Sequence, residues 1–148
     1  MKTKLIAEIG WNHMGEINLA KEMIDAAAEN GADFAKFQTW SVKNLTNGPW
    51  DNDGRREIYT KAELTKEMHE ELYKYCISKK INFLTSIFNL NDMDKLENIK
   101  LKTIKIPSHE VYNIDLISKI SNLFETVLVS TGAAKWDEIK NITKINNF

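Results

Sequence analysis

Short apolar runs alternate with amphipathic stretches along this chain, and most of the runs end in polar or cationic residues. Residues 5–9 form the first run, stopped by Gly10, and read as a strand. Leu19, Met23, Ile24 and Ala27 then share one helical face, which predicts a helix over residues 19–30 with Asn18 as N-cap and Gly31 as stop. Residues 33–38 form a second strand. Residues 39–56 show no periodicity and carry the turn formers Asn47-Gly48-Pro49 and Asp51-Asn52-Asp53-Gly54. A segment that long, directly after a strand end, reads as a lid or binding loop rather than a domain linker. Thr65 is placed to cap a helix over residues 66–79, with Met68, Leu72, Tyr75 and Cys76 as its inward stripe. Strand three covers residues 81–86, and Leu90, Met93 and Leu96 mark a short helix. Residues 103–106 form strand four, and residues 113–121 a helix carrying Leu116, Ile117 and Ile120. Residues 126–130 form strand five, and Ile139, Ile142 and Ile145 mark a last helix.

Five β-then-α units in succession imply right-handed crossovers and a parallel sheet. A doubly wound open sheet and an eightfold barrel both follow that pattern. Gly10 and Gly15 are not followed by Lys-Ser/Thr, and no Gly-x-Gly-x-x-Gly occurs, so a phosphate loop or dinucleotide fold is poorly supported. A barrel is typically about 250 residues. The chain, 148 residues long, is therefore expected to be α/β, a partial (β/α)8 TIM barrel supplying the first five β/α units. No low-complexity tract or sequence-identical repeat interrupts it.

Composition adjusts this picture only slightly. The chain is 43% hydrophobic and 28% charged with a formal net charge of -1, which suits one globular unit with a sizeable core. Interspersed Lys and Glu argue against nucleic acid or a membrane surface as the main partner. The single cysteine, Cys76, excludes an intrachain disulfide and a multi-Cys zinc site, and its place in a helical stripe favours a buried thiol over a reactive one. Residues 1–4 run straight into a strand, without a signal-peptide core, so a reducing cytoplasm is expected.

The strand ends hold the candidate chemistry. Glu8 lies in an otherwise apolar strand, where a charge is costly unless paired. In a strand buried on both faces its natural partner is Lys36 on the next strand end, the alternative being a solvent-facing edge position. Lys36 and Gln38 alternate with Phe37 and point to one face. There they are poor core formers but good donors to a phosphate or carboxylate. Thr85 and Ser86 end strand three, and Ser130, Thr131 and Gly132 end strand five. Each hydroxyl alone suits a helix cap as well as an anion site. Their repetition on successive rims, where barrels bind ligands, points to a small, anionic, oxygen-rich ligand. Lys105, Ser108 and Glu110 extend past strand four. A second lysine there clamps the other end of a dianion, and Glu110 is either a general base or sugar ligand, or an exposed first-turn residue. His13, His69 and His109 lack metal-ligand spacing, and His69 falls at a polar helical position. Trp11, Trp40 and Trp50 lie in predicted loops, either flooring a sugar pocket or packing loop on barrel.

These rims resemble the sialic acid synthase family, N-acetylneuraminate synthase and its legionaminate and pseudaminate relatives. The segments are residues 7–15 (AEIGWNHMG), 31–38 (GADFAKFQ), 83–88 (FLTSIF), 105–110 (KIPSHE) and 128–132 (LVSTG), in the family's order. The resemblance implies a barrel that condenses phosphoenolpyruvate with an N-acetylated aldose such as N-acetylmannosamine. The products are a nine-carbon 2-keto acid and phosphate. It implies that Lys36, Lys105, Ser86, Ser108 and Ser130 hold phosphoenolpyruvate, that Gln38 and Glu110 face the sugar, and that Glu8 is an active-site acid. A divalent metal, Mn or Mg, polarises the aldehyde, and its His ligands are expected beyond Phe148, as is an antifreeze-like domain that completes a homodimer. The chain alone, residues 1–148, is thus expected to be the N-terminal portion of the synthase domain, inactive unless complemented.

Ser86 stands where the family usually has Thr, Ile87 where it has Pro, and Pro107 and His109 where it commonly has Gly. These departures keep the hydroxyl and cationic groups but change loop shape, so the acceptor can differ from N-acetylmannosamine. Two other classes stay open on residues alone: a Schiff-base aldolase using Lys105, and a non-catalytic half-barrel.

Overall fold

The computed structural model describes residues 3–132 and 134–145. Five strands form a single parallel sheet: β1 (Ile6–Gly10), β2 (Phe34–Thr39), β3 (Asn82–Ile87), β4 (Thr103–Ile106) and β5 (Thr126–Val129). Their spatial order is their order in the chain. Every crossover therefore steps the same way around, as in a barrel, whereas a doubly wound sheet reverses direction after its first half. The fold is α/β, with the first five units of a (β/α)8 barrel.

The crossovers are α1 (Ile17–Glu29), then α2 (Arg55–Ala62) with α3 (Lys66–Ser78), a 3-10 segment (Leu90–Leu96), α4 (Ile114–Ser121) and, after β5, α5 (Trp136–Ile142). The Thr65 hydroxyl caps α3 by accepting from the Met68 N–H at 3.2 Å, and Asn113 caps α4 at Leu116. Asn18 is not a cap. Helix α1 begins at Ile17 with Glu16 before it, which places Asn18 inside the first turn. Helix α2 occupies what the sequence pattern presents as the end of a loop and the start of the next unit, and the third predicted helix is a 3-10 segment.

Alternation along the strands separates two faces. Ile9, Ala35, Phe37, Phe83, Ile87, Ile104 and Ile106 point toward the helices and form one core with Ala20, Ile24, Leu72, Cys76, Leu116, Ile117 and Ile120. Burial pushes the Cys76 thiol up to about 12, which leaves it a protonated packing group. The other face carries Glu8, Lys36, Gln38, Ser86 and Lys105. The expectation that Glu8 sits in a strand covered on both faces is corrected: β1 is an edge of the described sheet, and the Glu8 side chain is 53% exposed.

The polar inside of the helix-facing layer is His69, which the sequence pattern reads as a polar helical position. It is buried. Its Nδ1 lies 2.7 Å from the Thr65 carbonyl, which only accepts, so Nδ1 carries the proton. Nε2 then accepts from the Thr39 hydroxyl at 2.8 Å, and Thr39 accepts from Thr85 at 2.8 Å. Burial, aided by the charge of Lys95, lowers His69 to about 4 and keeps it neutral. The spacing 69, 72, 76 puts it on the same stripe as Leu72 and Cys76, a signal the sequence does contain.

Candidate functional site

Parallel register sets the heights of the rim residues. Glu8 is level with Lys36, and Gln38, Ser86 and Lys105 form the next level up, on three adjacent strands. In-register residues of a parallel sheet project to the same side, so the five side chains share the face opposite the apolar core. Lys36 is 2% exposed, and its ammonium lies 2.6 Å from Glu8 Oε2 and 2.8 Å from Oε1. Burial and then the charge of Lys105 lower the Lys36 pKa, against the upward pull of Glu8. The two lysines therefore act on each other electrostatically across β3.

Between them stands Ser86. It is 1% exposed, and its hydroxyl finds no hydrogen-bond partner among the described residues. A buried hydroxyl without a partner costs about 1–3 kcal/mol. Flanked by strands carrying Lys36 and Lys105, that donor is available to an anion. Gly10 closes the level from the β1 side: at φ +61, a Cβ there would lie 3.5 Å from Glu8 Oε1 and 3.9 Å from Gln38 Nε2, so backbone approaches both side chains.

The β1–α1 loop is fixed from behind. The buried His13 accepts the Gly15 N–H at Nδ1 (3.0 Å), and burial lowers its pKa, offset in part by the Gly10 carbonyl. Gly15 cannot carry a side chain, because a Cβ would sit 2.1 Å from the Lys61 carbonyl at the end of α2. Helix α2 thereby becomes a wall of the site. Its Tyr59 ring meets Trp11 (6.5 Å between centroids), Trp40 (5.7 Å) and Trp50 (5.6 Å). Trp40 is buried loop packing, and Trp50 faces a cavity.

That cavity, about 400 Å³, opens beside the rim. It is lined by Asn44, Trp50, Arg55 and Tyr59 from the segment after β2, Phe88 and Asn89 from just after β3, and His109, Glu110 and Asn113 from the segment after β4. Glu110 accepts from Asn113 Nδ2 at 3.0 Å. His109 stacks edge-on against Phe88 at 4.7 Å, and burial together with Lys105 lowers its pKa despite Glu110 3.9 Å away. Its ring is thus neutral near pH 7. The chemistry is two-part: a cationic rim with an unused hydroxyl, and an amide- and aromatic-lined cavity holding one carboxylate.

Of the eight candidate residues, Glu8, Lys36, Gln38, Ser86 and Lys105 converge on two adjacent levels. Ser108 and Glu110 begin and end the single 3-10 turn after β4, between rim and cavity. Ser130 lies one strand farther out, held by its N–H to the Ile106 carbonyl at 3.0 Å. Glu63 and Lys95, paired at 2.9 Å, escape sequence reasoning because their pairing is purely tertiary. Among the described residues no three His, Cys, Asp or Glu side chains converge as a metal site, and no helix is long and apolar enough to cross a membrane.

Comparison with known proteins identifies the lineage. Residues 23–147 match the NeuB family. The chain is 36% identical to N,N'-diacetyllegionaminic acid synthase of Campylobacter jejuni, over 97% of this chain and 46% of that protein. It is 31% identical to pseudaminic acid synthase of Helicobacter pylori, over 98% of this chain and 47% of that one. The crystal structure of N-acetylneuraminic acid (sialic acid) synthetase from Leptospira borgpetersenii in complex with citrate superposes with a TM-score of 0.87 at 29% identity, covering 98% of this chain and 50% of that chain. The chain spans about half the length of the curated relatives it matches. It belongs to the NeuB family.

Proposed function

We propose that this NeuB-family chain carries the phosphoenolpyruvate-binding half of a sugar acid synthase. The overall reaction adds phosphoenolpyruvate and water to an N-acylated aldose and yields a nine-carbon 2-keto acid and inorganic phosphate. The observation that carries this reading is the Ser86 hydroxyl, buried and without a partner among the described residues, on the strand between those of Lys36 and Lys105. Phosphoenolpyruvate presents a phosphate and a carboxylate on a three-carbon frame, which matches two ammonium groups and a hydroxyl donor. The relatives' names, legionaminic, pseudaminic and sialic acid synthases, denote products of the class this reaction yields and so support an acylated amino sugar as acceptor.

Lys36 and Lys105 hold the two anionic ends, with Ser86, Ser108 and Ser130 donating to phosphate oxygens. The Lys36–Glu8 ion pair is the resting arrangement. An arriving dianion competes with Glu8 for the ammonium, which frees that carboxylate at the reacting end. Gln38 and Glu110 bind the acceptor, and Glu110 takes a proton from a hydroxyl of the sugar or of the attacking water. The enol carbon forms the new C–C bond as the C=O π bond of the sugar aldehyde breaks, and the alkoxide so formed takes up the proton that the attacking water gives to Glu110. Water adds at the adjacent carbon, and collapse of that centre releases phosphate. The family's divalent metal, Mn or Mg, would polarise the aldehyde when bound. The residues described here do not compose a site for it, and no step above is routed through it.

Phosphate release from phosphoenolpyruvate, with a panel of acylated hexoses and manganese, tests the reading. Release that requires both an acylated aldose and an intact Lys36 supports it. A borohydride-trapped pyruvate adduct on Lys105 overturns it in favour of a Schiff-base aldolase.

A further inference from the structure

The wall of the cavity is one excursion of the chain between β2 and α3, and its two ends meet at a single ammonium. Lys95, in the 3-10 segment Leu90–Leu96, donates to the Trp40 carbonyl at 2.7 Å, the Leu64 carbonyl at 2.9 Å and Glu63 Oε1 at 2.9 Å. An ammonium has three N–H donors, so all are used, and the side chain is only 11% exposed. Glu63 continues the tie, its Oε2 accepting the Val42 N–H at 2.8 Å. The two oxygens of one carboxylate thus join the start of the excursion to the cation that holds its end. Farther along, Asn44 donates to Asp92 at 2.7 Å, and its carbonyl accepts from Asn89 at 3.2 Å. The excursion itself has few buried apolar residues, Trp40, Ala62 and Leu64 at its ends. Closing a segment of this length costs conformational entropy, which the Lys95 and Glu63 bonds help to offset.

We propose that Lys95 is a positioning residue for the acceptor: by pinning residues 40 and 64 to one point, it holds Asn44, Trp50, Arg55 and Tyr59 as a preformed wall facing Glu110. This rests on the assignment of the cavity to the acceptor sugar. The rim lysines are set by the register of β2, β3 and β4 rather than by the cavity wall, so phosphoenolpyruvate affinity depends on Lys95 far less than acceptor affinity does.

The test is Lys95→Met, with Lys95→Met/Glu63→Gln as a second variant that leaves no unpaired half-buried carboxylate. Amide hydrogen exchange of the whole protein reports the tie: residues 42–52 exchange faster in both variants, while residues 34–39 and 82–87 are unchanged. Calorimetric titration reports the role. N-acetylmannosamine binds roughly ten- to a hundredfold more weakly, and phosphoenolpyruvate stays within about twofold of wild type. Unchanged exchange at residues 42–52, or equal loss of both ligands, overturns the proposal. A wild-type protein that binds phosphoenolpyruvate but no acylated hexose removes the acceptor assignment and this role with it. One that binds neither fails earlier, at the function of the rim.

Discussion

Thr85 and Ser86 are neighbours in the chain, both hydroxyl residues, both buried, and they face opposite sides of one strand. Thr85 points into the helix-facing layer, where its hydroxyl, Thr39 and His69 satisfy one another. Ser86 points to the rim, where its hydroxyl has no partner among the described residues and the adjacent strands bring lysines. The same contrast holds for the two faces as wholes. One is filled by the protein's own helices, and its Thr39, Thr85 and His69 side chains are paired with one another. The other keeps a buried cation, a half-exposed carboxylate and a free donor in reserve. Polar burial of the first kind belongs to stability, and polar burial of the second kind marks the place of a ligand.

The largest effect that would break this contrast is at Lys36. Lys36→Ala should reduce phosphate release from phosphoenolpyruvate by roughly a hundred- to a thousandfold in a protein whose circular dichroism shows it still folded; turnover close to wild type would remove the rim assignment. Acid should act on the opposite face. His69 is neutral and lowered to about 4 in the folded protein, against 6.5 when unfolded, so the unfolded chain binds the extra proton between those values. Its contribution is complete above pH 6.5 and is lost as pH falls toward 4, by roughly 3 kcal/mol. Urea unfolding at pH 7 and pH 4.5 checks this: the wild type should lose more stability than His69→Gln over that interval. The smallest pair of effects is the sharpest. Thr85→Ala should cost about 1–2 kcal/mol because it leaves Thr39 without its donor. Ser86→Ala should leave the ligand-free protein unchanged or more stable by up to about 1 kcal/mol, while weakening phosphoenolpyruvate. Equal destabilisation by both would show that the two hydroxyls do the same job.

The strands were legible because each is a short apolar run closed by polar residues, and β4 (Thr103–Ile106) has the bounds its pattern predicts. The order of the rims, and hence the barrel, follows from repeated β–α units. Helix α2 was not legible. Only Ile58, Tyr59 and Ala62 are apolar within Arg55–Ala62, and the residue before it, Gly54, is left-handed at φ +90, as turns are. It is held by Gly15 and by the tryptophan cluster, contacts distant in sequence. The exposure of Glu8 depends on what lies beside β1, which no local pattern encodes. The Lys36–Glu8 pair was readable, since a charge in an apolar strand requires a counter-ion. The Glu63–Lys95 tie was not, since both residues look like ordinary surface charges until the chain folds.

The most direct test of the central claim is a crystal structure of the protein with phosphoenolpyruvate. The phosphate and carboxylate should bridge the Lys36 and Lys105 ammonium groups, with the Ser86 hydroxyl donating to the ligand and Glu8 displaced from Lys36. Phosphoenolpyruvate bound elsewhere, with the Lys36–Glu8 pair intact and Ser86 still unpartnered, would contradict it.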